Sequence, residues 1–195
     1  MSRWVRDEMA EGPPLSWYAV HTRSNFEKRV AGELHLKGMA SYLPAVRECH
    51  QWKDRRKMVE VPLFPGYVFL RGSGTAQEQL AVLKTAGAVR ILGRGTCPEA
   101  IPDREIEAVR ILVNSGRPLK GHPFLTEGGS VFVTGGPLKG VYGVLLNVKN
   151  SRRLIVSIQL LSQSVAAEID TRDVELIEAN GSGRFGRSSE ECIQI

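Results

Sequence analysis

Residues 61–70 constrain the fold of this chain more than any other segment; they read Val-Pro-Leu-Phe-Pro-Gly-Tyr-Val-Phe-Leu. Pro62 and Pro65 lack the backbone N–H that a central strand needs, so a continuous strand can start only after them. Beyond them, Tyr67 and Phe69 share one face of an extended chain, and the aliphatic residues that alternate with them share the other. Both faces are therefore apolar. We expect helices of the chain to cover one face and the other to be free to bind another molecule.

The first half of the chain alternates strand and helix patterns. A strand pattern over 17–22 precedes Ser24 and Glu27, a spacing that is typical of the capping box at the start of a helix. Two extended segments joined by a charged hairpin tip follow, and then come the strand described above, a second helix, a short strand and a third helix near 103–115. This order predicts an α+β domain over residues 15–115, in which helices flank an antiparallel sheet.

The second half has a different pattern. Residues 128–178 contain five short strand patterns separated by Gly, Asn, Ser or Asp, which predicts a small all-β barrel. Residues 116–127 have the composition of a linker, while 1–14 and 179–195 carry no folding signal and are expected to be disordered. Because the linker has little apolar content, we expect the two domains to move independently. The sequence leaves open a state in which the second domain masks the first.

The positive charge of the chain is concentrated in its first domain. The formal net charge is +5, and residues 15–115 contain 15 Lys and Arg against 10 Asp and Glu, whereas 128–178 contain five of each. A localised basic surface is typical of a protein with a polyanionic partner such as nucleic acid, and composition alone leaves a merely soluble basic domain as an equal alternative. The three cysteines have no C-x-x-C spacing, which argues against a disulfide framework or a zinc site. With no long apolar run or signal-peptide pattern, we expect a cytoplasmic protein without membrane contact.

Three blocks of sequence carry a family resemblance. They are Trp-Tyr-Ala-Val-His-Thr-Arg at 17–23, Leu-Phe-Pro-Gly-Tyr-Val-Phe at 63–69 and Gly-Pro-Leu-Lys-Gly-Val-Tyr-Gly at 136–143. In order and spacing the chain resembles the NusG family of transcription elongation factors, with a NusG N-terminal domain followed by a KOW domain, an SH3-like barrel. The segments 52–57 and 160–170 are more similar to the specialised, operon-directed antitermination paralogues than to the housekeeping factor.

The resemblance implies that the first domain binds RNA polymerase. In this family an apolar depression on the first domain grips the clamp helices of the largest polymerase subunit, which suppresses pausing or termination. Position by position, it implicates the residues His21, Phe64, Pro65, Gly66, Tyr67 and Phe69. His21 stands where relatives often have an aromatic residue. The resemblance also implies a monomer that needs no cofactor or metal.

Two further sets of residues are candidates for binding. In this family the sheet lies beside the upstream fork of the transcription bubble, so basic residues could contact non-template DNA or nascent RNA; these are Arg23, Arg29, Lys53, Arg55, Arg56 and Lys57. The KOW domain serves relatives as a docking module for a ribosomal protein or the termination factor Rho. Its motif and partner-binding residues here are Gly136, Lys139, Gly140, Gly143, Leu160 and Leu161.

Two other functions compete with this interpretation. The first is a KOW-type RNA-binding or ribosome-associated protein with no polymerase role, for which salt-sensitive binding to free RNA would be the evidence. The second is an enzyme. The four histidines and three cysteines have no catalytic or metal-ligand spacing, and no phosphate-binding glycine loop is present, so the sequence favours a protein without enzymatic activity.

Overall fold

The computed structural model describes residues 14–52, 55–123, 129–148 and 151–177 of the 195-residue chain. The helices are α1 (Glu27–Leu36), α2 (Ala76–Leu83) and α3 (Asp103–Asn114). The strands of the first half are β1 (Ser16–Thr22), β2 (Ala40–Tyr42), β3 (Ala45–Trp52), β4 (Arg55–Pro62), β5 (Tyr67–Gly72), β6 (Ala88–Ile91), β7 (Gly93–Arg94) and β8 (Cys97–Pro98). Those of the second half are β9 (Leu119–Pro123), β10 (Gly129–Val133), β11 (Tyr142–Val148), β12 (Ser151–Ile158), β13 (Gln163–Glu168) and β14 (Val174–Leu176).

The first domain is built on a four-stranded sheet in the order β2-β5-β1-β6. Its pairs are antiparallel, and the two central strands align so that His21 lies opposite Tyr67. Strands β3 and β4 form a separate two-stranded hairpin. The predicted α+β class of this domain is confirmed.

Both faces of the four-stranded sheet are covered. Helices α1 and α2 cover one face, in a buried cluster that consists of Val20, Val30, Leu34, Val68, Leu70 and Val82. Helix α3 covers the opposite face, where Trp17, Ala19 and Phe69 join Ile106 and Val109 in a second buried cluster. The expectation that one face of strand β5 is free is therefore wrong over most of that face. The reason is that α3 is amphipathic and buries its own apolar side there.

The second domain, called the β domain below, is a six-stranded antiparallel sheet in the order β14-β10-β11-β12-β13-β9. The sequence predicted five of these strands. The sixth, β9, lies within the predicted linker and pairs with β13, with Leu119 opposite Ala167. Its sequence is mostly polar and does not alternate between apolar and polar residues. Because backbone pairing holds β9 in the sheet, no hydrophobic pattern marks this strand in the sequence.

The two domains share one hydrophobic core. Helix α3 packs against β12 and against the turn at Gly136–Leu138, where Leu138 is buried. The second cluster thus continues from the sheet through α3 into the β domain. This shared core differs from the expectation that the two domains move independently. That expectation was based on the composition of the linker, whereas the contact between the domains is made by α3. None of the helices within the described ranges is long and apolar enough to span a membrane.

Two leucines on α1 allow a matched test of this packing. Leu34 is 0% exposed against the sheet, while Leu36 is 86% exposed. Leu34→Ala should lower the free energy of unfolding by about 2–5 kcal/mol, since it removes buried methyl groups and leaves a cavity. Leu36→Ala should change it by less than about 0.5 kcal/mol. Chemical denaturation followed by circular dichroism measures both, and equal effects would contradict the assigned packing.

Candidate binding site

The six residues that the sequence predicted for polymerase binding divide into an accessible group and a buried one. Pro65 is exposed, and His21, Gly66 and Tyr67 are partly exposed; these four residues are called the rim below. The His21 and Tyr67 rings are 5.3 Å apart between centroids. Phe64 and Phe69 lie beneath the rim, 1% and 0% exposed, with their rings in edge-to-face contact. Both phenylalanines are core residues in this structure, so they do not present the surface for a partner that the resemblance implied.

A tight turn shapes the rim. The N–H of Tyr67 donates to the carbonyl of Phe64 at 3.2 Å, and Gly66 has a φ of 82°. Pro65 followed by a residue with positive φ is the arrangement of a type II turn, which glycine adopts without steric cost. A side chain at position 66 would therefore strain the turn. The Nδ1 atom of His21, next to this turn, is buried and has no hydrogen-bond partner among the described residues.

On the face of the sheet that α3 covers, an arginine fixes this helix to the strands. The Arg110 guanidinium lies 4.9 Å from the ring centroid of Trp17 and 5.1 Å from that of Tyr42. Cation–π contacts of this kind are worth about 0.5–1 kcal/mol when exposed and more when desolvated. Burial raises the pKa of Tyr42 to about 12, so its phenol stays neutral.

The candidate nucleic-acid residues lie on several elements. Arg23 follows β1 and is exposed, as are Arg56 and Lys57 on β4. Arg29 on α1 is also exposed but is paired with Glu33 at 2.9 Å. An ion pair of 3.2 Å between Lys28 and Glu60 connects α1 to the hairpin. Lys53 and the side chain of Arg55 lie outside the described residues.

The KOW residues form two turns and one close contact. Gly136, Lys139 and Gly140 surround the turn that inserts Leu138 into the shared core. Gly143 on β11 approaches β12 so closely that a Cβ would lie 2.6 Å from the carbonyl oxygen of Ile155. The predicted partner-binding residues Leu160 and Leu161 follow Gln159 in a 3-10 turn, where Leu161 is buried and Leu160 partly so.

A buried carboxylate joins α3 to that 3-10 turn. The Oε2 atom of Glu105 accepts a hydrogen bond from the backbone N–H of Gln159 at 3.1 Å, and the residue is only 9% exposed. Burial raises the pKa of Glu105 above its ordinary value of 4.5, and the bond from Gln159 offsets part of this increase. The same interface contains a cleft of about 680 Å³ that is lined by residues of α3, β11 and β12.

Several of these residues carried no sequence signal. Glu105 and Arg110 appear in the sequence as ordinary charged positions on an amphipathic helix, and their partners lie far away in the chain. Cys49 on β3 is free and exposed. No cluster of metal-binding side chains occurs in the part of the chain that the structure describes.

Comparisons with known proteins agree on one family. The family model described as "Transcription termination factor nusG" matches residues 15–110. Proteins named "Transcription termination/antitermination protein NusG" are similar, at 25% identity in Rickettsia conorii (82% of this chain, 88% of the relative) and 27% in Vibrio vulnificus (87% and 100%). A solved structure titled "Domain interaction in Thermotoga maritima NusG" has a TM-score of 0.52 at 21% identity, covering 85% of this chain and 98% of that one, which supports the fold.

The chain thus combines an α+β domain that carries the rim with an antiparallel β domain, and the relatives to which it is similar are transcription termination/antitermination proteins. The chain belongs to the NusG family. The family resemblance is confirmed.

The buried Glu105 predicts that domain contact depends on pH. Because burial raises its pKa in the packed state, contact favours the protonated carboxyl. The contribution of Glu105 should be largest below its ordinary pKa of 4.5 and should disappear as the pH rises through the raised pKa. Glu105→Gln keeps an acceptor for the Gln159 N–H without the charge, so it should remove this pH dependence and strengthen contact at neutral pH. NMR shifts of α3 and β12 against pH measure the effect, and identical profiles for both proteins would contradict it.

Proposed function

We propose that this chain is a non-enzymatic elongation or antitermination factor. Its first domain binds RNA polymerase at the clamp helices of the largest subunit, in the cytoplasm, and suppresses pausing or termination. The single observation that supports this most is the accessible rim, where Pro65 is exposed at the edge of a rigid sheet and the His21 and Tyr67 rings lie beside it. Aromatic side chains that present an apolar body and a polar tip are enriched among interface hot spots.

Such binding would act on the polymerase through linkage. A ligand that prefers the closed clamp shifts the population toward that state by the ratio of its affinities for the two states. The rim suits this role because the central strands β1 and β5 hold its backbone. Binding would therefore cost little conformational entropy. The buried Phe64 and Phe69 support the rim from below, in place of the direct contact that the resemblance implied.

The basic residues supply a second contact in this proposal. Arg56 and Lys57 are exposed on the hairpin, and Arg23 lies at the end of β1. Their charges would bind phosphates of non-template DNA or nascent RNA without reading the sequence.

The β domain would recruit a partner, with a ribosomal protein and Rho as the two candidates. Gln159 begins the turn that carries Leu160 and Leu161, and it is hydrogen-bonded to Glu105 of α3. A partner that uses this turn would therefore have to compete with α3. We propose that partner binding and domain contact exclude each other at this turn.

Replacing Tyr67 tests the polymerase contact. Tyr67→Ala should weaken binding to a clamp-helix fragment by ~2 kcal/mol or more, about thirtyfold, because it removes a hot-spot aromatic. The matched control is Tyr142→Ala on β11, where the tyrosine is 59% exposed and lies outside the rim. Isothermal titration calorimetry measures affinity, and a thermal melt checks the fold. A folded Tyr67→Ala protein that binds like the wild type would place the contact elsewhere, and retained binding to free RNA alone would favour the ribosome-associated alternative.

The salt dependence of binding tests the hairpin cations. Replacing Arg56 and Lys57 with Ala should reduce the log–log salt slope for bubble DNA by up to about one unit for each phosphate that is no longer neutralised. Arg94→Ala is the control, since its side chain is 93% exposed on β7, outside the hairpin. Fluorescence anisotropy over a salt series gives the slopes. If the double variant keeps the wild-type slope, these cations only face solvent.

A further inference from the structure

A buried carboxylate on α1 bonds to the backbone of the rim. Glu27 is the first residue of α1, is 6% exposed, and its Oε1 atom accepts a hydrogen bond from the N–H of Gly66 at 2.8 Å. Burying a carboxylate is costly unless its oxygens are hydrogen-bonded. The position of Glu27 in the first turn of a helix also favours negative charge. A bond of this kind, between residues 39 positions apart in the chain, ties the rim to α1.

Glu27 does not cap its own helix. The sequence predicted a capping box with Ser24, but the helix cap is Phe26, which makes no side-chain cap bond. The prediction was wrong because the Glu27 carboxylate is directed at the rim. On α2, by contrast, the N-cap residue Thr75 does accept the backbone N–H of Glu78.

The bonded N–H belongs to the peptide group that decides the type of turn. Turns of types I and II differ mainly by rotation of the central peptide, here the one between Pro65 and Gly66. Gly66 has a φ of 82°, which is the type II value, and Glu27 holds the N–H of this peptide in the matching direction. The Gly66 carbonyl, on the other side, accepts the N–H of Thr22 at 2.8 Å.

We propose that Glu27 is a positioning residue for partner binding: it fixes the central peptide of the Pro65–Gly66 turn and so orients Pro65 and Tyr67. This inference rests on the proposed function, since the rim is the surface proposed to bind polymerase. Without the carboxylate, the Gly66 N–H has no partner at a partly buried position and the peptide gains an alternative orientation. The side chains of the rim would then have to be ordered on binding, which lowers affinity.

Three substitutions at Glu27 separate this role from a general effect on the fold. Glu27→Ala removes the acceptor, Glu27→Asp keeps the charge but is too short by one methylene, and Glu27→Gln keeps an acceptor oxygen at the same reach. Glu33→Ala is the matched control, because Glu33 lies on the same helix and also accepts a backbone N–H, from Ala86 at 3.2 Å and away from the rim.

The test measures amide exchange of Gly66 by NMR and affinity for the clamp-helix fragment, both in the full chain. The Ala and Asp variants should lose protection of the Gly66 amide and about tenfold in affinity, which corresponds to a hydrogen bond of ~1.4 kcal/mol. The Gln variant and Glu33→Ala should keep both. If the Ala variant fails to fold, the Asp and Gln variants carry the comparison.

Unchanged Gly66 protection in the Asp variant, or reduced protection with unchanged affinity, would overturn the positioning role. Failure of the wild-type chain to bind the fragment would overturn the proposed function as well. The two failures are distinguishable because the first requires wild-type binding.

Discussion

The burial of both faces of one four-stranded sheet is the constraint on which the rest of the structure depends. Strands β1 and β5 are apolar on either side, so each face needs a cover of its own in water. Helices α1 and α2 cover one face completely enough that Val20 and Val68 are fully buried. Helix α3 covers the other face and in turn packs against the β domain. The domain contact is thus a consequence of how the second face of the sheet is covered.

The rim is what remains open at the edge of that second face. Its backbone is held on both sides of Gly66, by Glu27 from α1 and by Thr22 from β1. The carboxylates at 27 and 105 have related roles: each is buried, and each bonds to a backbone N–H of a segment distant in the chain. Glu27 shapes the surface that is proposed to bind polymerase, and Glu105 joins the two domains.

Much of the fold followed from the sequence because its signals are local. The alternation after Pro65 predicted strand β5, the order of strand and helix patterns predicted helices that flank a sheet, and separators that contain Gly, Asn, Ser or Asp predicted the strands of the β domain. Strand β9 was missed because its residues, Leu-Lys-Gly-His-Pro, do not alternate between apolar and polar. Burial in the core is the usual outcome for large aromatic residues such as Phe64 and Phe69, and only the resemblance favoured a partner contact for them. Glu27 was assigned to the wrong bond because local spacing suggested a cap.

Photo-crosslinking from position 67 tests the central claim most directly. The full chain, with p-benzoylphenylalanine in place of Tyr67, is mixed with transcribing RNA polymerase and irradiated, and a second protein carries the same group in place of Tyr142. If the rim binds polymerase, position 67 should crosslink to the clamp helices of the largest subunit and position 142 should not. Crosslinks from position 67 to RNA alone, or equal crosslinking from both positions, would contradict it.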